Sequence, residues 1–149
     1  TGQKPTLFRP CGGEYNDSVQ ASMKQLGMPL ILWDVDTLDW KYRDAASVKQ
    51  HILDGAQDGA IVLEHDLYET TVEGVLAAID ELQQQGYAFV TVSELAKIKG
   101  VTLEPGQVYT GFTDEDLGLT AETDAAANSE SSESTDSTAN TQASDSTSN

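Results

Sequence analysis

The stretch Ile61-Val62-Leu63-Glu64-His65-Asp66 decides the reading of this chain. Ala60 to Glu64 has the length and apolar content of a short buried strand, and the run then ends abruptly on an imidazole and a carboxylate. In α/β proteins, polar groups at the C-terminal mouth of a strand sit where the chemistry is done. Working back, Leu30-Ile31-Leu32-Trp33 is a second apolar run, followed by Asp34-Val35-Asp36-Thr37-Leu38-Asp39-Trp40. Earlier still, Leu7-Phe8 leads into Arg9-Pro10-Cys11-Gly12-Gly13. Three predicted strands thus deliver Arg, Asp and His to one rim.

Between these runs the period switches from strand to helix. Asn16-Asp17-Ser18 is a helix start signal, the helix runs to Leu26, and Gly27 serves as a C-cap. Asp44 caps a second helix whose apolar face uses Val48, Ile52, Leu53 and Ala56. Thr70 or Thr71 starts a third, with Val72, Val75, Leu76, Ile79 and Leu82 at helical spacing and a stop at Gly86. Tyr87–Val92 reads as a fourth strand, and Ser93 caps a last short helix through Lys97. The alternation of strand and helix predicts an α/β fold with a parallel sheet and crossover helices. Four such units make half of a (β/α) barrel or a small open sheet. The reactive loops after the first three strands, and a first strand almost at the start of the chain, favour the partial barrel.

Residues 100–120 keep some apolar content, including Leu103, Val108, Tyr109 and Phe112, and read as an arm packed on the last helix. From 121 to 149, 13 of 29 residues are Ser or Thr, with no Leu, Ile, Val, aromatic or basic residue. Such a tail cannot bury enough apolar surface to offset its ordering entropy, so it is predicted to be disordered. The expected division is therefore 1–99, 100–120 and 121–149.

The net charge is −17, and all 8 Lys and Arg lie before residue 100. Nucleic acid and anionic membrane surfaces both require Lys and Arg, so neither is an expected partner. No apolar run approaches the roughly 20 residues of a membrane span. A lone cysteine, Cys11, excludes an intramolecular disulfide and a Cys-rich metal site. The chain starts at Thr1 without Met, which reads as a processed product or a fragment.

Each rim residue has an ordinary reading beside the chemical one. Arg9 can simply pair with a carboxylate, or it can hold a catalytic carboxylate in place. Gly12-Gly13 can be a plain turn, or it can bring backbone N–H groups close to an oxyanion. Asp34, Asp36 and Asp39 can be solvated loop acids. An Asp beside a catalytic His, however, fixes its tautomer and favours the protonated form needed for general-acid work. Trp40 can be packing, or a stacking face for a sugar ring. Cys11 reads most simply as a small buried side chain in a tight loop, and His51 as a surface residue.

Three ordered stretches resemble the third, fourth and fifth motifs of the polysaccharide deacetylases, the NodB-homology domain of carbohydrate esterase family four. They are Arg9-Pro10-Cys11-Gly12-Gly13-Glu14-Tyr15-Asn16, Trp33-Asp34-Val35-Asp36-Thr37-Leu38-Asp39-Trp40 and Ile61-Val62-Leu63-Glu64-His65-Asp66. Gly86–Leu95 is similar to the way these domains close, so the resemblance covers roughly residues 4–99. It implies a distorted (β/α) barrel and metal-dependent removal of acetyl groups from N-acetylated sugars or acetylated xylan. By position, it implies that His65 is the general acid and that Asp39 tunes it. Arg9 would orient the catalytic base, and backbone N–H near Gly12 would help form the oxyanion hole. Trp40 and Leu63 would wall the groove and the acetyl pocket.

Two departures stand out. Cys11 replaces a usual second proline, and Gly12 a frequent aromatic residue. A Gly-Gly loop is familiar among bacterial peptidoglycan deacetylases. The family's first two motifs, Thr-Phe-Asp-Asp-Gly and His-x-x-x-His, have no counterpart here, so the ligands for the divalent metal, zinc by preference, are not expected in this chain. The resulting expectation is the C-terminal half of a deacetylase acting on an N-acetylated polysaccharide, peptidoglycan or a chitin-like oligosaccharide. Taken alone it would be inactive. Its place, inferred from the resemblance and the tail, is secreted or on the bacterial cell surface. The alternative is a non-catalytic carbohydrate-binding or interaction module in which Trp40, Tyr68 and the acidic rim hold glycan without chemistry.

Overall fold

The computed structural model describes residues 2–119. The stretch 121–149, read from sequence as a disordered tail, lies outside the described residues.

The helices follow their caps. Asn16 accepts the Val19 N–H at 3.0 Å and opens α1 (Asp17–Leu26), which closes on Gly27 in the left-handed conformation. Its side-chain oxygen satisfies one of the N–H groups that a helix start leaves without an internal partner. Asp44 does the same for α3 (Ala45–Gly55), accepting the Ser47 N–H at 2.7 Å. The long α4 (Glu69–Gln84) starts after Tyr68. The last helix, α5 (Val92–Ile98), is capped by Thr91 in a reciprocal box with Glu94, rather than by Ser93.

The strands are short and every named pairing is parallel. β1 (Leu30–Ile31) pairs with β4 (Val108–Tyr109) in the register Leu30 to Val108. β2 (Val35–Asp36) pairs with β3 (Val62–Leu63) in the register Val35 to Val62. Phe8 makes a single parallel bridge to Leu30. These pairings and the intervening helices make a mixed α/β unit.

Several expectations shift. Leu30–Trp33 and Ala60–Glu64 shrink to two-residue strands, and β2 appears where a loop was expected. The stretch 100–120, read as an arm, supplies β4 and places Phe112, with 0% exposure, in the core with Ile31, Ile61 and Ala96. The predicted strand Tyr87–Val92 is not one. Its ends are taken by other bonds, since the Tyr87 N–H closes on Leu82 O at 3.0 Å and Thr91 caps α5. Residues 88–90 have no ladder partner among the described residues, and β propensity means little without a neighbouring strand to pack against.

A second core lies between α3 and α4, where Val48, Ile52, Ala78 and Leu82 are buried. The stripe on α4 is rotated from the one expected. Thr71, Gly74, Ala78 and Leu82 face inward, while Val72 and Leu76 are exposed. Gly74 explains the rotation. A Cβ there would fall 2.6 Å from Ala45 O and 2.8 Å from Val48 Cβ, so the two helices meet at a contact that only glycine permits. No helix among the described residues is long and apolar enough to cross a membrane.

Candidate active site

The parallel register of β2 and β3 sets Asp36 beside Leu63, so the residues that follow both strands leave on the same side. Thr37 is buried and donates its hydroxyl to Leu63 O at 2.8 Å, which pins the two strand ends together. Asp36 Oδ1 then accepts the Leu38 N–H at 2.9 Å. Leu38 is left-handed, with φ 52°, and this turns the chain into the four-residue helix α2 (Asp39–Tyr42). A non-glycine residue in that region is strained by about 1 kcal/mol or more, and such strain clusters at functional sites. The turn drives Asp39 inward and leaves Trp40 outside.

Asp39 is 0% exposed and its carboxylate accepts four hydrogen bonds. Oδ1 takes the Trp40 N–H at 2.8 Å and His65 Nδ1 at 2.9 Å. Oδ2 takes the His65 N–H at 2.7 Å and the Thr71 hydroxyl at 3.1 Å. Burial alone would raise the Asp39 carboxyl. The hydrogen bonds from the His65 ring, the His65 N–H, Thr71 and Trp40 outweigh it and hold the group below its ordinary value. A buried ionised carboxylate accepting from Nδ1 assigns the proton to that nitrogen and leaves Nε2 for chemistry. The His65 side chain is 39% exposed, and Nε2 has no hydrogen-bond partner among the described residues. A protonated imidazole held in this way is a proton donor with a fixed orientation.

The other expected residues are placed as follows. Arg9 donates from Nε to Ile31 O at 3.3 Å and from Nη2 to Leu32 O at 3.1 Å, with its guanidinium 5.8 Å from the Trp33 ring centre. Burial pulls it below its ordinary value. Among the described residues it makes no hydrogen bond or ion pair with Asp39 or His65 and has no carboxylate partner. Gly12 lies in the 3-10 turn Cys11–Gly13 with φ 63°, and nothing stands within 4 Å of where its Cβ would be, so its backbone is open to an approaching group. Trp40 is 51% exposed and Leu63 is buried. Cys11, read as a buried side chain, is exposed. His51 is not a plain surface residue, since its Nδ1 lies 2.7 Å from Ser47 O and its ring stacks on Tyr42 at 6.1 Å.

The three acids of the dense Asp stretch take separate jobs. Asp34 Oδ1 accepts the Ile61 N–H at 2.6 Å, Asp36 shapes the Leu38 turn, and only Asp39 meets the histidine. Burial and then the nearby Asp116 push the Asp34 carboxyl up against the pull of its backbone bonds. Glu64, beside His65, is also pushed up, by burial and then by the Asp39 charge. Sequence reasoning missed the role of Thr71. The signal was a hydroxyl on the buried stripe of α4, a position that needs a polar partner.

Among the described residues no group of three or more His, Cys, Asp or Glu is placed to hold a metal ion. His51 is tied to its own helix and His65 to Asp39. The side chains of residues 2–119 therefore do not fit a divalent metal.

No family model matches the chain. The peptidoglycan-N-acetylglucosamine deacetylase PgdA of Listeria monocytogenes is 45% identical over 114 residues, which is 76% of this chain and 23% of that protein. A deacetylase solved with substrate superposes with a TM-score of 0.66 at 36% identity, over 72% of this chain and 52% of its own. A family 4 acetyl xylan esterase from Clostridium thermocellum, solved with a cobalt ion, gives 0.66 at 28% identity over 74% of this chain and 55% of its own. The chain thus spans about half of the solved domains and less than a quarter of the Listeria protein. With likeness in both sequence and fold over about three quarters of its length, it belongs to the polysaccharide deacetylases of carbohydrate esterase family four.

Proposed function

We propose that this chain supplies the proton-donating half of a deacetylase that removes N-acetyl groups from a cell-wall glycan, peptidoglycan first and a chitin-like oligosaccharide second. The observation that carries the reading is the buried Asp39 carboxylate fixed on His65 Nδ1 at 2.9 Å. With Nδ1 engaged, protonated Nε2 donates to the leaving sugar amine as the amide C–N bond breaks. Trp40 offers an exposed face for a sugar ring, and Leu63 an apolar wall for the acetyl methyl. Gly12 offers open backbone beside the oxyanion, and Arg9 a held guanidinium for a carboxylate base. Residues 1–99 act as the C-terminal half of a distorted (β/α) barrel, with 100–119 packed against them. The complete enzyme uses a divalent metal, zinc by preference, and works outside the bacterial cell or on its surface. The identity to the Listeria deacetylase supports the substrate, and the cobalt in the Clostridium esterase supports the metal.

The test is a graft. The matching half of the Listeria enzyme is replaced by residues 1–119, and acetate release from peptidoglycan is measured with added zinc. The 149-residue chain alone releases none, and the graft does. His65→Ala lowers the rate of the graft about 10²- to 10⁴-fold, the usual worth of a positioned acid. A folded graft whose rate is indifferent to His65 would overturn the assignment.

A further inference from the structure

Two of the cations in this chain pair with carboxylates, Lys49 with Glu81 and Lys99 with Asp58. The loops around Asp39 and His65 follow another rule. There Lys41 lies over Tyr42 and Arg43 over Tyr68, the latter at 4.4 Å from the ring centre, and elsewhere Arg9 lies over Trp33. An aromatic face holds a cation without neutralising it, so these charges remain available to an incoming anion.

Arg43 is the best built of the three. Its Nη2 donates to the Tyr68 hydroxyl at 3.1 Å, and its other donors have no partner among the described residues. Asp44, next in the chain, is used by the Ser47 N–H and does not pair with it. Arg43 is held in the left-handed conformation, φ 49°, at the end of α2, mirroring Leu38 at its start. Both partners are wired to the candidate site. The Arg43 N–H donates to Asp39 O at 3.1 Å, and Tyr68 O accepts the N–H of Thr71, whose hydroxyl bonds Asp39. Tyr68 follows His65 by three residues, so their Cα atoms are at most about 11 Å apart.

We propose that Arg43, seated on Tyr68, is a specificity-determining residue that binds the carboxylate of an acidic amino sugar next to the sugar being deacetylated. The inference rests on the glycan reading above and deepens it. The flat guanidinium fork matches the two oxygens of a carboxylate, and a guanidinium already immobilised on a ring loses little further freedom on binding. A neutral hexosamine chain offers no group that would use it.

The test is a pair of NMR titrations on the 149-residue chain. One ligand is the neutral dimer of N-acetylglucosamine. The other is the same disaccharide with a lactyl ether carboxylate on one ring, as in N-acetylglucosaminyl-N-acetylmuramic acid. The wild-type chain binds the acidic ligand about tenfold more tightly, the worth of one charge-assisted hydrogen bond. Arg43→Gln removes that preference, and Arg43→Lys retains part of it, because a point charge replaces the fork. Tyr68→Phe keeps the ring and gives a smaller loss, an independent check should Arg43→Gln disturb the turn. Equal affinities in the wild-type chain, or a preference that survives in a folded Arg43→Gln, would sink the proposal and leave the glycan reading standing. Binding of neither ligand would overturn the glycan reading itself.

Discussion

The two sides of this molecule are finished to different degrees. Around α3, α4, β2 and β3, the buried polar groups meet their partners within the chain. Asp39 takes four hydrogen bonds, Thr37 and Thr71 are buried with their hydroxyls used, and Gly74 lets the helices touch. Around Arg9 and residues 86–90, the structure is open. A cavity of about 580 Å³ runs between Ile61, Val62, Leu82, Phe89 and Leu95, with Arg9 among its lining residues. Phe89 and Val90 are exposed beside it, and Arg9 spends its donors on backbone carbonyls. The contrast teaches where the stability of this chain resides. Its polar share lies with the Asp39–His65 side, whose buried polar contacts are complete. The other side offers apolar surface and a guanidinium with no carboxylate opposite it among the described residues.

The largest effect that would break the comparison comes from Asp39. Asp39→Ala removes one acceptor from four donors in a buried setting, and an unfolding midpoint in urea should report a loss of about 3 kcal/mol or more. A loss under about 1 kcal/mol would mean that water already reaches the site. The next effect is its pH dependence. The folded-state Asp39 carboxyl lies below its ordinary value, so its contribution is fully present above the unfolded-state pKa of about 4 and is lost as pH falls through the lower folded-state value. The stability gap between the wild-type chain and Asp39→Asn should therefore narrow below about pH 4. A gap that is flat from neutral to acid pH would contradict the observed hydrogen bonding. The smallest effect belongs to the open side. Phe89→Ser should change stability by about 0.5 kcal/mol at most, because the half-exposed ring has little burial to lose. A larger loss would show that the cavity closes in solution and that the two sides are less different than they look.

The Asp39–His65 pairing is legible in the order of residues. An apolar run ending on His65, and another run trailing into Asp39, place both at one mouth if the strands are parallel, and the parallel pairing of β2 with β3 brings them to 2.9 Å. The caps at Asn16 and Asp44 are equally legible, because capping is settled within about four residues. Local sequence also marks the inward residues of α3, Val48 and Ile52.

What the tertiary structure alone decided is whatever depends on a distant partner. Tyr87–Val92 has strand composition, yet without a laddered neighbour it forms no strand and its end becomes a capping box. Val108 and Tyr109 form a strand because β1, far away in sequence, offers an edge. The face of α4 was set by the contact of Gly74 with Ala45 and Val48, not by its most hydrophobic stripe, so Val72 and Leu76 ended outside. Thr71 became a hydrogen-bond donor to Asp39 for the same reason. The division is physical. Caps, turns and periodicity are short-range and are written in neighbouring residues, whereas ladders, helix contacts and buried hydrogen bonds draw their energy from groups brought together only when the chain has folded.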